Sequence, residues 1–86
     1  MTHNDIIKND EFELLEGHQL NGKIVVAGAY QLFKIDQLVK LKAAGMELML
    51  KNVKFLKPWY IEDNREYQIQ WNSDMTIELI VNSVIV

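Results

Sequence analysis

His18 is the residue of this sequence whose type and surroundings best suit proton-transfer chemistry. Histidine can accept and donate a proton near neutral pH, so it often serves as the general base in enzymes. His18 lies between Gly17 and Gly22 in the segment GHQLNGKIVVAGAY, and the only other histidine, His3, lies in a polar segment where we expect it to be inert. A histidine at a turn, taken alone, is more often an ordinary surface residue than a catalyst, and both interpretations stay open here.

The composition excludes several other kinds of chemistry. The chain has no cysteine and only two histidines, far apart in sequence, so we expect no metal site. A net charge of −3 and a single arginine argue against a nucleic-acid partner. We expect no membrane association, because no apolar run approaches the roughly 18 residues of a membrane-spanning helix. The N-terminus lacks the features of a signal peptide, so the predicted location is cytoplasmic.

The length of 86 residues predicts one domain. We expect residues 1–10 to form a polar lead-in segment and residues 11–86 to form the domain. A domain this short buries only about 60% of the surface of its unfolded chain, which favours self-association or packing against a larger neighbour.

A buried helix is predicted from residue 29 to about residue 44, directly after the glycines that flank His18. Apolar residues recur there at steps of three and four and also fill most other directions: Tyr30, Leu32, Phe33, Ile35, Leu38, Val39 and Leu41. A helix that is apolar nearly all round is usually buried on all sides. Gly45 is a candidate for the residue that ends it.

The remaining segments show the alternation typical of strands. Short strands are predicted at 12–14 and 24–26, and a longer one at 48–55, ended by Pro58. Two further alternating runs, 66–71 and 75–82, are joined by a predicted hairpin turn at 72–74. This order predicts an α+β fold, in which one antiparallel sheet is curled around a central helix.

Two segments of the chain match motifs of a known enzyme family. HQLNG at 18–22, followed by AGA at 27–29, resembles the HxxxGxxxxPG motif of polyketide synthase dehydratase domains. LKNVKFLKP at 50–58 resembles the family's strand with an L-x-x-V-x-F-x-x-P pattern. The resemblance covers about residues 11–82, nearly the whole chain.

The resemblance implies a fold and an activity. Such domains are double hotdogs, in which each half wraps an antiparallel sheet around a long helix, and this chain corresponds to the N-terminal half, a single hotdog. They are lyases that remove water from a β-hydroxyacyl thioester carried on the phosphopantetheine arm of an acyl carrier protein, and they need no other cofactor. His18 would be the general base. Gly22, Gly28 and Ala29 would bind substrate, and Phe33 and residues 24–26 would line an acyl tunnel.

Two departures from the family pattern leave the activity open. Ala27 stands where the motif has proline. The catalytic acid of the family is an aspartate from the second hotdog, and the sequence ends where the first would end. Single-hotdog fatty-acid dehydratases instead dimerise and use a glutamate of the central helix, but the first turns here hold Gln31, Leu32 and Phe33, and Asp36 lies about one turn too far along.

Two alternative functions therefore stand beside the dehydratase. One is a catalytically inactive, dehydratase-like docking or scaffold element of a synthase assembly. The other is a free-standing homodimeric hotdog that acts on small acyl thioesters. The expected partners are an acyl carrier protein and either a second hotdog half or a homodimer partner. Two sets of charged residues are expected to be solvated, namely Glu11, Glu13 and Glu16, and Lys51, Lys54 and Lys57. The lysines could also contact an acidic carrier protein.

Overall fold

The computed structural model describes residues 1–43, 45 and 50–86. Within them the chain has an α+β fold, as the sequence predicts. The elements are β1 (Thr2–Ile6), α1 (Asn9–Leu15), β2 (Gln19–Leu20), β3 (Lys23–Ile24), α2 (Gly28–Lys42), β4 (Glu66–Trp71), β5 (Ile77–Val81) and β6 (Val84–Ile85).

The main sheet has the strand order β1-β4-β5-β6, and all its pairs are antiparallel. The predicted turn between β4 and β5 is present, and the Asn72 N–H donates to the Thr76 carbonyl at 2.8 Å. Asn82 and Ser83 join β5 to β6 with φ values of 51° and 63°. These positive values are typical of the two-residue turns that match strand twist.

Helix α2 packs one face onto this sheet. Ile35, Leu38 and Val39 of the helix are buried in one cluster with sheet residues that include Tyr67, Ile69, Leu79 and Val81. The expectation that α2 is buried all round is wrong, because Phe33 is 52% exposed and Leu41 is 73% exposed. One side of the helix therefore serves the core and another faces outward.

The strand predicted at 12–14 is wrong, since these residues belong to helix α1. The Lys8 N–H donates to the Glu11 carboxylate at 3.2 Å, which satisfies a donor at the start of the helix. Phe12 and Leu15, three residues apart, pack against the core, whereas Leu14 is exposed. The helical step of three, and not the alternation of Phe12 with Leu14, decides the structure.

The residues expected to form a lead-in segment, 1–10, include an edge strand of the main sheet. In β1, His3 pairs with Ile69 and Asp5 pairs with Tyr67, so these two polar residues lie on the sheet face that packs against the core. Ile7, directly after the strand, is 1% exposed. The N-terminal residues thus take part in the fold.

The strand predicted at 48–55 is not found in its described part, residues 50–55, and Leu48 lies outside the described residues, as does Ala44 at the predicted end of the helix. Residues 50–58 are irregular, and the Leu56 N–H donates to the Val86 carbonyl at 3.0 Å. The chain pairs again just beyond Pro58, where Val26 donates to the Trp59 carbonyl at 2.8 Å.

Candidate functional site

His18 is held by the short hairpin of β2 and β3. Its N–H donates to the Leu15 carbonyl, and its carbonyl accepts from the Val25 N–H, both at 2.9 Å. Asn21 and Gly22 form the turn of this hairpin with φ values of 55° and 75°, a conformation that suits asparagine and glycine. Residue His18 is exposed, so its side chain is open to solvent and to a ligand.

Helix α2 begins three residues after Val25. The N–H groups of Tyr30 and Gln31 donate to the Ala27 carbonyl at 3.1 and 3.2 Å. The N–H groups of Gly28 and Ala29 precede the first helical hydrogen bond, and such groups carry the positive end of the helix dipole. The hairpin therefore places the His18 backbone opposite Val25. Three residues separate Val25 from Gly28, so their Cα atoms are at most about 11 Å apart.

The Phe55 ring covers Gly28. A Cβ built at Gly28 would lie 2.7 Å from the Phe55 Cζ, so glycine is the residue that lets this ring approach the helix start. Phe55 is itself 55% exposed. The aromatic ring at this glycine comes from the irregular segment 50–58, and the motif comparison gave no indication of it.

No carboxylate is hydrogen-bonded or ion-paired to His18 within the described residues. Asp36 lies eight residues beyond Gly28, about 12 Å along the helix, and its carboxylate is 2.9 Å from the Lys40 ammonium. Asp36 is thus held by a neighbour of its own helix. Gly22 lies in the turn of the hairpin, and Gly28 and Ala29 lie at the start of α2. Phe33, which the resemblance expects to line an acyl tunnel, is half-exposed on α2.

A partly buried polar cluster lies elsewhere, and sequence reasoning missed it. We call it the Glu11 cluster. The Glu11 carboxylate accepts from the Tyr30 hydroxyl at 2.8 Å and is paired with the Lys34 ammonium at 2.5 Å, with both charged side chains less than one-fifth exposed. The Tyr67 hydroxyl donates to the Asp5 carboxylate at 3.1 Å. The expectation that Glu11 is solvated is therefore wrong.

The pKa values of the Glu11 cluster reflect this burial. Burial raises the pKa of Tyr30, and the hydrogen bond to Glu11 raises it further. The pKa of Tyr67 is raised by burial and by the charge of Asp5. Burial alone would raise the pKa of Glu11, but hydrogen bonds from Lys34, Tyr30 and the Lys8 N–H outweigh it and hold this pKa below its usual value. Both hydroxyls act as hydrogen-bond donors to carboxylates. The spacing of Tyr30 and Lys34, four residues apart on one helix face, was the available sequence signal.

His3 and an open cleft lie next to this cluster. The His3 Nε2 is 4.0 Å from an Asp5 carboxylate oxygen. Both line an open cleft of about 510 Å³ whose walls also include Lys34, Leu38 and Ile69. His3 is thus part of the folded sheet rather than a residue of a polar tail.

Among the described residues, no three His, Cys, Asp or Glu side chains are grouped so that they could hold a metal ion. Neither helix in this part of the chain has the length and apolar character needed to cross a membrane.

Comparison of the chain with protein-family models, with curated proteins and with solved structures gives no significant match.

Proposed function

We propose that this chain is the N-terminal hotdog of a dehydratase of the polyketide synthase type, with His18 as its general base. The observation that carries the proposal is the hydrogen bond from the Val25 N–H to the His18 carbonyl, three residues before α2 begins. It holds the backbone of His18, whose side chain is exposed, beside the segment that leads into the helix start, which the resemblance assigns to the substrate thioester. The α+β fold, with one helix packed on an antiparallel sheet, is compatible with a hotdog.

The reaction begins with removal of a proton from the α-carbon of a β-hydroxyacyl thioester. His18 accepts that proton, and the electron pair of the C–H bond moves toward the thioester carbonyl. The developing negative charge on the carbonyl oxygen is stabilised by the N–H groups of Gly28 and Ala29 and by the dipole of α2. Phe55 must move away from Gly28 for the thioester to take this place.

The second half of the reaction needs an acid. As the enolate collapses to form the carbon–carbon double bond, the β-hydroxyl leaves and takes a proton from the acid, so that water is released. In the proposal this acid comes from a second hotdog, either a second half or a partner chain. The described residues contribute the base and the oxyanion donors.

Hydrogen exchange at the α-carbon tests the general base alone, because this step does not need the catalytic acid. A 3-hydroxybutyryl pantetheine thioester is incubated with the protein in D₂O, and deuterium gain at the α-carbon is followed by mass spectrometry. We expect His18→Ala to slow the exchange about a hundredfold or more, the usual contribution of a general base. His3→Ala is the matched control and should retain the wild-type rate. Equal exchange in wild type and His18→Ala, or no exchange in either the folded wild type or the folded Phe55→Ala variant, contradicts the proposal.

A specific observation favours the inactive scaffold as a second candidate function. The Phe55 ring lies where the thioester would contact Gly28, so the helix start is closed in this structure. A scaffold element would show no exchange with any variant, including Phe55→Ala, which opens the helix start. Exchange that appears only in Phe55→Ala would instead indicate a competent site that is covered by this ring.

A further inference from the structure

The segment 51–57 is positively charged, whereas the protein as a whole is negatively charged. The chain as a whole carries −3, yet residues 50–61 contain three lysines and no acidic residue. We call Lys51, Lys54 and Lys57, with the residues between them, the basic strip. All of its residues are exposed, and none of its lysines forms an ion pair with the described part of the chain.

Exposed apolar side chains lie between these lysines. Val53, Phe55 and Leu56 are between 46% and 60% exposed. Apolar side chains flanked by charges are the arrangement of a protein interface, in which an apolar centre is surrounded by a polar rim. The basic strip spans at most about 20 Å, no more than about four turns of an α-helix.

The basic strip is fixed to the fold on both sides. The Leu56 N–H donates to the Val86 carbonyl at 3.0 Å, which attaches the strip beside the end of β6. The Phe55 ring packs on Gly28 at the start of α2. A partner that binds the apolar centre of the strip therefore contacts the residue that covers the candidate site.

We propose that the basic strip is a docking surface for an acidic, amphipathic helix of a partner protein. Lys51, Lys54 and Lys57 attract its carboxylates, and Val53, Phe55 and Leu56 contact its apolar face. Docking draws Phe55 away from Gly28 and opens the helix start. The charges and the exposure of the basic strip support this docking surface independently of the proposed function. The identity of the partner as the protein that carries the acyl substrate rests on the proposed function.

The other charged partners fit less well. An anionic membrane or a nucleic acid would meet the acidic remainder of the molecule as well as the strip, whereas a single helix contacts the strip alone. Trp residues anchor proteins at membrane interfaces, but Trp59, next to the strip, is only 2% exposed.

The test is a binding titration with a synthetic probe. The probe is an 18-residue amphipathic helix with a leucine stripe flanked by glutamates, and the same peptide with lysines in place of the glutamates is its counterpart. Binding to the ¹⁵N-labelled protein is followed by NMR, with amide shifts at 51–57 and at Gly28 as the expected signature. We expect the acidic peptide to bind and its affinity to fall as salt rises.

Charge reversal in two matched places tests where it binds. The strip variant is Lys51→Glu, Lys54→Glu and Lys57→Glu. The control is Lys8→Glu, Lys23→Glu and Lys42→Glu, three exposed lysines elsewhere, which gives the same net charge. We expect the strip variant to lose at least about tenfold in affinity and the control less than about threefold. Circular dichroism checks the fold of both variants.

Several outcomes would overturn the proposal. They are equal affinity loss in the two triple variants, tighter binding of the lysine peptide, and binding to phosphatidylserine vesicles but not to the acidic peptide. Self-association of the protein that disappears in the strip variant would assign the surface to a second copy. The peptide carries no acyl group, so failure of the docking proposal is distinguishable from failure of the deuterium-exchange test.

Discussion

Helix α2 borders two regions that are built in opposite ways. In the Glu11 cluster, its residues Tyr30 and Lys34 are bound to α1 through the partly buried Glu11 carboxylate. At its first residue, Gly28, it borders the open end, by which we mean His18, Gly28 and Phe55. There the side chains of His18 and Phe55 are exposed, and the contact at Gly28 is an aromatic ring on a glycine.

This difference separates residues that hold the fold from residues that are available for binding. A buried, charge-assisted hydrogen bond stabilises the fold, and removal of one partner leaves the other unsatisfied. An exposed side chain without such a bond can be replaced at little cost in stability. Substitutions in the Glu11 cluster should therefore change the free energy of unfolding, whereas replacement of the exposed side chains of the open end, His18 and Phe55, should change function with little effect on that free energy.

The largest loss of stability is expected for Trp59, which packs on a residue of the Glu11 cluster and is hydrogen-bonded to the segment before the open end. Trp59 is 2% exposed, its ring centroid is 5.2 Å from that of Tyr67, and its carbonyl accepts from Val26 just before α2. Trp59→Ala should lower the free energy of unfolding by about 3–5 kcal/mol, the cost of a large core cavity. Urea unfolding followed by circular dichroism measures it. Leu14→Ala, at a residue that is 77% exposed, is the control, and similar losses in both would deny Trp59 this role.

A smaller loss is expected within the Glu11 cluster. Tyr30→Phe keeps the ring and removes the hydroxyl that donates to Glu11 at 2.8 Å. The expected loss is about 1–2 kcal/mol, since the hydrogen bond is made to an ionised group that retains Lys34. The matched control is Tyr60→Phe, which keeps its ring beside Lys23 and whose hydroxyl makes no hydrogen bond with the described residues. Equal stability of the two variants would mean that the hydrogen bond from Tyr30 to Glu11 does not stabilise the fold, and it would contradict the difference proposed between the Glu11 cluster and the open end.

The Glu11 cluster also predicts a dependence of stability on pH. Folding lowers the pKa of Glu11 below its usual value of 4.5, so its contribution is present above that pH and is lost as the pH falls through the folded pKa. Glu11→Gln should therefore flatten the fall in stability from about pH 5 to about pH 3. Glu13→Gln removes the same charge from the exposed side of α1. An equal change in slope for both variants would mean that the pairing with Lys34 has no such effect.

Local patterns in the sequence were sufficient for several elements of the fold. The helix expected at 29–44 is observed as Gly28–Lys42, and the alternating runs became Glu66–Trp71 and Ile77–Val81. These segments contain their own periodicity. Strand β1 does not, because THNDI has one apolar residue and becomes a strand by pairing with β4, at least sixty residues away. No local pattern encodes that partner.

The candidate site was also predictable only where local residue types determine the structure. The turn at Asn21 and Gly22 and the helix start at Gly28 follow from local residue types, and they set the position of His18. The Phe55 ring reaches Gly28 only because the irregular segment 50–58 crosses the start of α2. The Glu11 cluster likewise joins α1, α2, β1 and β4, and none of its contacts between these elements is local in sequence.

The smallest effect on stability is expected at His18. Its two hydrogen bonds within the described structure are made by its backbone, and its side chain is exposed. His18→Ala should therefore change the free energy of unfolding by less than about 0.5 kcal/mol. The same urea titration that shows a large loss for Trp59→Ala measures it. A loss above about 1 kcal/mol would mean that the imidazole supports the hairpin, and slower deuterium exchange in this variant could then come from a displaced helix start. A stable variant makes the exchange rate a direct measure of the base.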